Sequence, residues 1–550
     1  MEKTILIGGK AGQGTAVTSF FIGKAFSSLG YYVFNYRDYP SLIRGGHNFN
    51  VLRISDKPVY SHKDKYDIIV ALDQKTINLH QKNLKKEGFI LGDDNLQSKK
   101  LIPVDVDYTL NKLKAPRVIE NDIFIGWLFK HFGIDKTFLL REAEQEFGGK
   151  KIALIKKAIV VGYDLGKTKD KLKRIGQKKY FISGSKAVGV GAINAGIDIY
   201  IAYPMTPATP VLHYLAQKQL KHNFLVLQLE NEIGVANAAL GSSFTGAKTM
   251  VGTSGGGFAL MTEAMSLSGI SETPLVVYLA QRTGPATGVP TYTAQSDLKF
   301  ALNAGHGEFP RIVVAPGDPK ETIVRTQEAF YLSLKYRTLA IIISDKHLAE
   351  SDYSFDQLGK SPLDNQRFIL KNPPQDYKSY QITQKSFSPR AVPGQSPVVR
   401  GTSYEHNEYG NTIEDAFWTK RMNDKRLRKG KYIAKEIRKL NPISIYGKGK
   451  NLILGWGSTK GAIIDSLPSL KEFRFLQLSY ISPFPEKLVK KEIEKSKKVI
   501  LVENNATGLL GDVIVEKTGY LIKNKVLKYD ARPFLSDIII DEVKRIMRKK

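Results

Sequence analysis

Short apolar runs of strand length alternate along this chain with longer segments whose apolar residues recur at helical spacing. The rhythm is densest around Tyr203 to Arg282. There DIYIAYPMTPATP, FLVLQLENEIG, KTMVGTSGGGF and PLVVYLAQRTG each pass from strand through turn towards helix. Strands alternating with helices predict a doubly wound parallel sheet. In such a sheet ligands bind in the crevice outside the carboxyl ends of the strands. Thr206, Glu232, the loop from Thr253 to Gly257, and Arg282 all fall at strand ends. The pattern therefore brings them to one crevice, although they lie far apart in sequence.

The flanks follow the same logic, and the fold class expected is α/β, with three successive α/β domains. Residues 1–162 read as the first: TILIGG is a strand, GKAGQG a tight turn, and TAVTSFFIGKAFSSLG a helix. YYVFNY, NVLRIS and YDIIVALD then read as strands. Residues 163–180, lysine-rich and poor in large apolar side chains, are expected to form a basic linker. Residues 181–350 make the central domain, closing with RIVVAPG, a helix over DPKETIVRTQEAFYLSLKY, and LAIIISD. Residues 351–404, rich in proline and serine, are expected to run as an extended surface connector. Residues 405–550 open with HNEYG and a basic helix. They return to strand–turn–helix units in NLILGWGSTKGAIIDSL, FRFLQLSYISPFP and KKVILVENNATG, so a third α/β domain is expected.

Composition narrows the possibilities. A length of 550 residues suits three to four domains at roughly 150 residues each. An apolar content of 42% is ample for packed cores. No apolar run is long enough to span a bilayer. The segment MEKTILIGGKAGQG lacks the h-region of a signal peptide, so a cytoplasmic protein is expected. The chain has no cysteine, which excludes disulfides, thiolate zinc sites and conventional iron–sulfur ligation by its own residues. The formal charge of +29 is spread over runs such as KNLKKEG, KKLKRIGQKK and KKEIEKSKK. Those runs read as solvated helix faces and linkers. An acidic protein partner is a more economical use of the charge than nucleic acid.

Each candidate residue carries a structural reading beside the chemical one. In YPMTPATP, Thr206 and Thr209 each precede a proline, which suits helix caps. Equally, one hydroxyl can face the crevice and hydrogen-bond a bound oxygen. In LQLENEIGVANAALG two carboxylates, Glu230 and Glu232, stand where a strand gives way to a helix of small residues. Such a carboxylate is often only a dipole partner, yet one partly desolvated among small residues suits proton traffic. Gly234 and Gly241 there allow close approach of a ligand or partner subunit. GTSGGGF can cradle a phosphate or admit a flat ring, and GGKAGQG is a tight strand–helix turn first and an anion site second. Arg282 leaves an apolar strand into a glycine loop, a setting that suits two-point binding of a carboxylate. His47, His306, His347 and His406 are scattered and read as structural, and the residues suggest no metal site.

Taken in order, these motifs are similar to those of a known family. GGKAGQG with YRDYPSLIRGGHN resembles the gamma domain of 2-oxoacid:ferredoxin oxidoreductases. GSKAVGVGAINAGIDIYIAYPMTPATP resembles the family's Tyr-Pro-Ile-Thr-Pro segment, with Met205 in place of isoleucine. ENEIGVANAALGSSFTGAKTMVGTSGGGFALMTEA and QRTGPATGVPT resemble its thiamine-facing domain, while EHNEYG, GWGST, ISPFP and VENNATG resemble its later segments. The whole chain thus resembles the alpha subunit, in the form with a gamma-type domain fused in front. The resemblance implies oxidative decarboxylation of a 2-oxoacid on thiamine diphosphate, release of acyl-CoA from coenzyme A, and transfer of electrons to ferredoxin.

The resemblance also assigns partners and roles. Magnesium and a 4Fe–4S cluster would lie in a separate beta subunit, which fits the absence of cysteine, and the assembly implied is a dimer of alpha–beta pairs. The central domain would face the pyrimidine side of the cofactor, and the last domain would be transketolase C-terminal-like. Glu232 would hydrogen-bond the aminopyrimidine ring, with Tyr203, Pro204, Thr253, Ser254 and Gly255 also lining the cofactor. Thr206 and Arg282 would bind the substrate's keto and carboxylate groups, with Met205 and Leu229 near the pocket. Asn407 stands where the family pattern has aspartate, which would remove a charged contact. Relatives acting on aryl pyruvates or without coenzyme A, and a basic scaffold without chemistry, are the alternatives.

Overall fold

The computed structural model describes residues 1–42, 45–149 and 151–548. Two compact units emerge: residues 1–182 with 350–358, and residues 183–349 with 359–550. The central and last sheets expected as separate domains thus fall within one unit.

The first unit is built on an eight-stranded mixed sheet. Its strands run in the spatial order Leu101–Val104, Leu84–Asp93, Tyr66–Ala71, Glu2–Gly9, Asn48–Ser55, Tyr32–Asp38, Asp352–Phe355 and Tyr180–Ser183. Glu2–Gly9 pairs in parallel with Tyr66–Ala71 and antiparallel with Asn48–Ser55. GGKAGQG is the turn from this strand into the helix Thr15–Ser28, with Gly14 at φ 78° closing it. Gln13 braces the turn, accepting from Lys10 N at 2.6 Å and donating to Leu72 O at 3.3 Å. In the motif YRDYPSLIRGGHN, Ile43 and Arg44 lie outside the described residues. The connector expected over 351–404 begins with a strand, Asp352–Phe355, that pairs antiparallel with Tyr32–Asp38. Beyond residue 358 it carries no helix or strand up to Ala416, yet it is not merely superficial: Tyr380 and Ser386 are fully buried.

The second unit centres on a seven-stranded sheet. In spatial order its strands are Tyr480–Ser482, Arg311–Val314, Leu339–Asp345, Leu275–Gln281, Thr249–Thr253, Ile199–Ala202 and Leu225–Gln228. All pairs are parallel except the edge strand Tyr480–Ser482, which joins antiparallel. That edge comes from FRFLQLSYISPFP, read in sequence as a strand–turn–helix unit of the last domain. The run divides at Ser479, leaving Phe473–Leu478 in a separate five-stranded sheet.

Buried residues alternate between two cores. Val251, Val277 and Ile341 point into one, and Met250, Val276 and Ile342 into the other. Burial on both faces is why these strands read as continuous apolar runs. The first core continues without a break into Leu454, Trp456, Leu478 and Leu501 of the five-stranded sheet. Gln295, fully buried, fastens the same junction. Its side chain donates to Trp456 O at 2.8 Å and accepts from Asn504 N at 2.9 Å. Its backbone N–H donates to Asn504 O at 2.8 Å, and its carbonyl accepts from Asn505 Nδ2 at 3.0 Å.

Replacing Gln295 by Ala strands the buried Asn504 N–H and leaves Trp456 O with the Thr459 hydroxyl at 2.8 Å as its remaining donor. The apparent stability of this unit is expected to fall by about 2–4 kcal/mol, read from denaturant unfolding followed by tryptophan fluorescence.

Candidate active site

The strand order fixes where a crevice opens. From Ile199–Ala202 the chain crosses to Leu225–Gln228 on one side, then returns to Thr249–Thr253 on the other. The switch point lies between the carboxyl ends of Ile199–Ala202 and Thr249–Thr253, the position that binds ligands in open α/β sheets. Tyr203 to Thr206 leave the first of these ends, and Ser254 to Gly257 leave the second.

Of the two carboxylates, Glu230 is exposed and Glu232 is 3% exposed. Asn231 caps the helix Glu232–Phe244 by accepting from Gly234 N at 2.9 Å, which turns Glu232 inward at the first helical position. Its side chain lies against Gly257, where any Cβ would collide with Thr253 Oγ1 and Glu232 Oε1. The glycine in GTSGGGF is therefore needed for room. Thr253 and Ser254 are fully buried beside it.

Arg282, half-buried, donates from Nη1 to the backbone carbonyl of Thr206 at 2.9 Å. The contact ties the end of Leu275–Gln281 to the Tyr203–Thr206 turn. Neither threonine is a helix cap: the helix is Thr209–His222, Ala208 is its N-cap, and no side-chain cap bond is made. Thr206 instead precedes a cis peptide to Pro207. Tyr203 is 39% exposed at the rim, with Pro204 and Met205 half-buried behind it.

Asp297, which sequence reasoning passed over, completes the group. It stands at the start of the helix Leu298–Asn303 but makes no cap bond with its side chain. Its backbone N–H is held by Gln281 Oε1 at 2.8 Å. A Cβ on Gly255 would lie 2.8 Å from its Oδ2. Burial pushes Asp297 up to about 6, against the pull of the Arg282 guanidinium. Burial lowers Arg282, an effect that Asp297 opposes. An aspartate one residue before a helix looks like an ordinary cap in sequence, so only its missing cap bond sets it apart.

Glu232 Oε1, Ser254 Oγ, Arg282 Nε and Asp297 Oδ2 are all buried without a hydrogen-bond partner among the described residues. Native interiors leave few such atoms, so their gathering at the switch point marks a place for a polar ligand. A planar, hydrogen-bonding ring fits the donor and acceptor set, and Gly256, where an added Cβ would meet nothing within 4 Å, leaves the loop open to an approaching ligand.

Three of the histidines read as structural make local contacts. His406 is buried, Nδ1 at 3.0 Å from Tyr404 O, and His306 Nδ1 lies 3.0 Å from Ser266 Oγ. His47 Nε2 sits 2.8 Å from His80 Nε2. Asn407 Oδ1 accepts from Tyr409 N at 3.0 Å and Asn411 N at 3.2 Å, a turn that an amide makes as well as a carboxylate. The basic residues divide: Lys425, Lys429 and Lys460 are buried in ion pairs rather than solvated.

The stretch that carries this crevice matches the family model "Pyruvate flavodoxin/ferredoxin oxidoreductase, thiamine diP-bdg", over residues 190–424. A second model, "Pyruvate ferredoxin/flavodoxin oxidoreductase", matches residues 4–165. The 2-oxoacid:ferredoxin oxidoreductase subunit alpha of a Sulfolobus species is 32% identical, over 100% of this chain and 97% of that one. The 2-oxoacid:ferredoxin oxidoreductase 1 subunit alpha of Sulfurisphaera tokodaii is also 32% identical, over 100% of this chain and 98% of its own. The solved 2-oxoglutarate:ferredoxin oxidoreductase from Magnetococcus marinus, with 2-oxoglutarate, coenzyme A and succinyl-CoA bound, superposes with a TM-score of 0.88 at 27% identity, over 100% of both chains. The chain belongs to the 2-oxoacid:ferredoxin oxidoreductase alpha-subunit family. No helix among the described residues is long and apolar enough to cross a membrane.

The raised Asp297 has a measurable consequence. Its proton is held more tightly in the folded protein than in the unfolded chain, so ionisation removes stability as pH rises from about 4 through about 6. Asp297→Asn is expected to be more stable than wild type by about 1–2 kcal/mol above pH 7. The difference should vanish below pH ~4, as read from urea midpoints across that range.

Proposed function

We propose that this chain is the catalytic alpha subunit, with the gamma-type domain fused in front, of a thiamine-diphosphate-dependent 2-oxoacid:ferredoxin oxidoreductase. The overall reaction converts a 2-oxoacid and coenzyme A to acyl-CoA and CO2, with the electrons passed singly to ferredoxin. The observation that carries the reading is Glu232: a buried carboxylate with an unpartnered Oε1, flush against a glycine, at the switch point of the sheet.

Thiamine diphosphate, when bound, supplies the carbon nucleophile and electron sink on which a 2-oxoacid loses CO2. Glu232 Oε1 would hydrogen-bond the aminopyrimidine ring, a contact that favours its imino tautomer. Ser254 Oγ and the backbone of Thr253 and Gly255 would line the ring, together with Tyr203 and Pro204 from the neighbouring strand end. Arg282 grips the substrate carboxylate; its Nη1 bond to Thr206 O fixes the guanidinium while Nε remains to bind. Thr206 directs its hydroxyl to the keto oxygen.

A beta subunit is proposed to complete the site, carrying magnesium, the 4Fe–4S cluster and the diphosphate contacts, because this chain has no cysteine. Exposed Ile233, Gly234, Asn237 and Gly241 along the Glu232 helix, with Leu260 at 50% exposure, offer it a surface of small and apolar side chains. A dimer of such alpha–beta pairs in the cytoplasm, serving ferredoxin, is the assembly proposed. A scaffold without chemistry would leave the unpartnered atoms at the switch point unexplained.

The test is anaerobic viologen reduction by the purified complex across a panel of 2-oxoacids, with and without coenzyme A. Coenzyme-A-dependent reduction by one acid supports the reading, and silence across the panel with cofactor and cluster bound overturns it. Glu232→Gln is expected to lower turnover by about 10²–10⁴-fold while the subunits stay associated. Arg282→Lys is expected to raise KM by about tenfold or more with a smaller change in kcat, because a point charge cannot reproduce the fork; steady-state kinetics separates the two.

A further inference from the structure

Away from the crevice, the connector beyond residue 358 folds over a buried cluster of cations. Arg390 is 4% exposed and donates from Nη2 to Ser243 O, while its Nη1 is buried with no acceptor among the described residues. It borders a small recess that opens to solvent and is also lined by Arg337, Arg400, Tyr377 and Ser379. The carboxylate on this recess is Glu272, and its charge is already committed: it accepts from Lys425 Nζ at 2.5 Å and from Lys429 Nζ at 2.7 Å. Arg337, 8% exposed, is spent on carbonyls, donating to Glu272 O at 3.1 Å and Ser379 O at 2.6 Å. Tyr377 donates to Pro389 O at 3.1 Å. One buried carboxylate therefore answers Lys425, Lys429 and Arg337, while Arg390 stands beside Arg337 with no carboxylate acting on it.

A guanidinium taken out of water without a counter-charge is among the most costly groups a fold can bury. An amide or hydroxyl does not supply the missing charge, and a mobile anion does. We infer that this recess is a binding site for a small inorganic anion of halide size, held by Arg390 Nη1 with Arg337 and Arg400 around it. The recess has room for no more than about one water-sized group, too little for phosphate. The ion ties the connector to the central sheet, since Arg390 and Arg400 lie in the connector and Arg337 stands two residues before the strand Leu339–Asp345. The site is independent of the cofactor crevice and of the reaction proposed for it.

The test is thermal unfolding of the purified full-length chain, with whatever native partner it retains, in sodium chloride against sodium gluconate at equal ionic strength and pH. The expected result is a saturable rise in Tm of about 2–4 °C with chloride, reproduced by bromide and absent in Arg390→Met. Should Arg390→Met fail to fold, Arg400→Gln replaces it, with a right-shifted chloride dependence expected. Crystals grown in bromide are expected to show an anomalous peak beside Arg390 Nη1. The proposal is overturned by a Tm indifferent to chloride at constant ionic strength, by an equal rise in the variant, or by a bromide crystal with no peak there. A rise with phosphate larger than that with chloride overturns the halide assignment.

Discussion

The central sheet is buried on both faces, and this constraint governs where polar chemistry can emerge. Strands such as Leu275–Gln281 and Leu339–Asp345 bury every residue. Nothing charged can stand midway along them without losing its hydration. Polar side chains therefore leave at the strand ends, where the backbone turns into a helix or loop. Topology then does the rest: the reversal of strand order between Ile199–Ala202 and Thr249–Thr253 keeps neighbouring connections from closing over one end. Glu232, Ser254, Arg282 and Asp297 converge there because the sheet offers them no other exit.

The same burial explains why the last sheet belongs to the site's architecture. One apolar core runs from Val251 and Leu279 through to Trp456 and Leu501, so the two sheets are packed as a single body. Polar groups at the junction are satisfied with little slack. Gln295 bridges to Trp456 and Asn504, and Glu503 accepts from Trp456 Nε1 at 2.7 Å and Leu510 N at 3.0 Å. Burial still pushes Glu503 up to about 7. Gln295 lies two residues before Asp297, so the fastening that joins the sheets also fixes the loop that carries the carboxyl beside Arg282.

Much of this was legible beforehand. Parallel strands buried on both faces leave long Val/Ile/Leu runs, and glycine turns punctuate them, so the central sheet and its strand ends could be read directly. The choice between Glu230 and Glu232 was left open by residue spacing and made only by the family resemblance. It depends on Asn231 capping the helix and setting the phase of the first turn, which is a matter of one residue. The Thr-Pro pairs carried a similar ambiguity, resolved when the helix began at Thr209 with Ala208 as its cap. Asp297 was missed because a cap aspartate and a site aspartate have the same spelling; its unbonded side chain is a tertiary fact. The proline- and serine-rich connector looked superficial because its composition is that of exposed chain, yet it buries Tyr380 and Arg390.

The sequence by itself determined the class of fold, the family and the identity of the strand-end residues, because periodicity, turn chemistry and motif order are local properties of the chain. Only the tertiary structure decided the division into units, the antiparallel edge strand Tyr480–Ser482 contributed from the far end of the chain, and which polar atoms are left without partners. Those depend on contacts between residues hundreds of positions apart, whose free energy no local window of sequence contains.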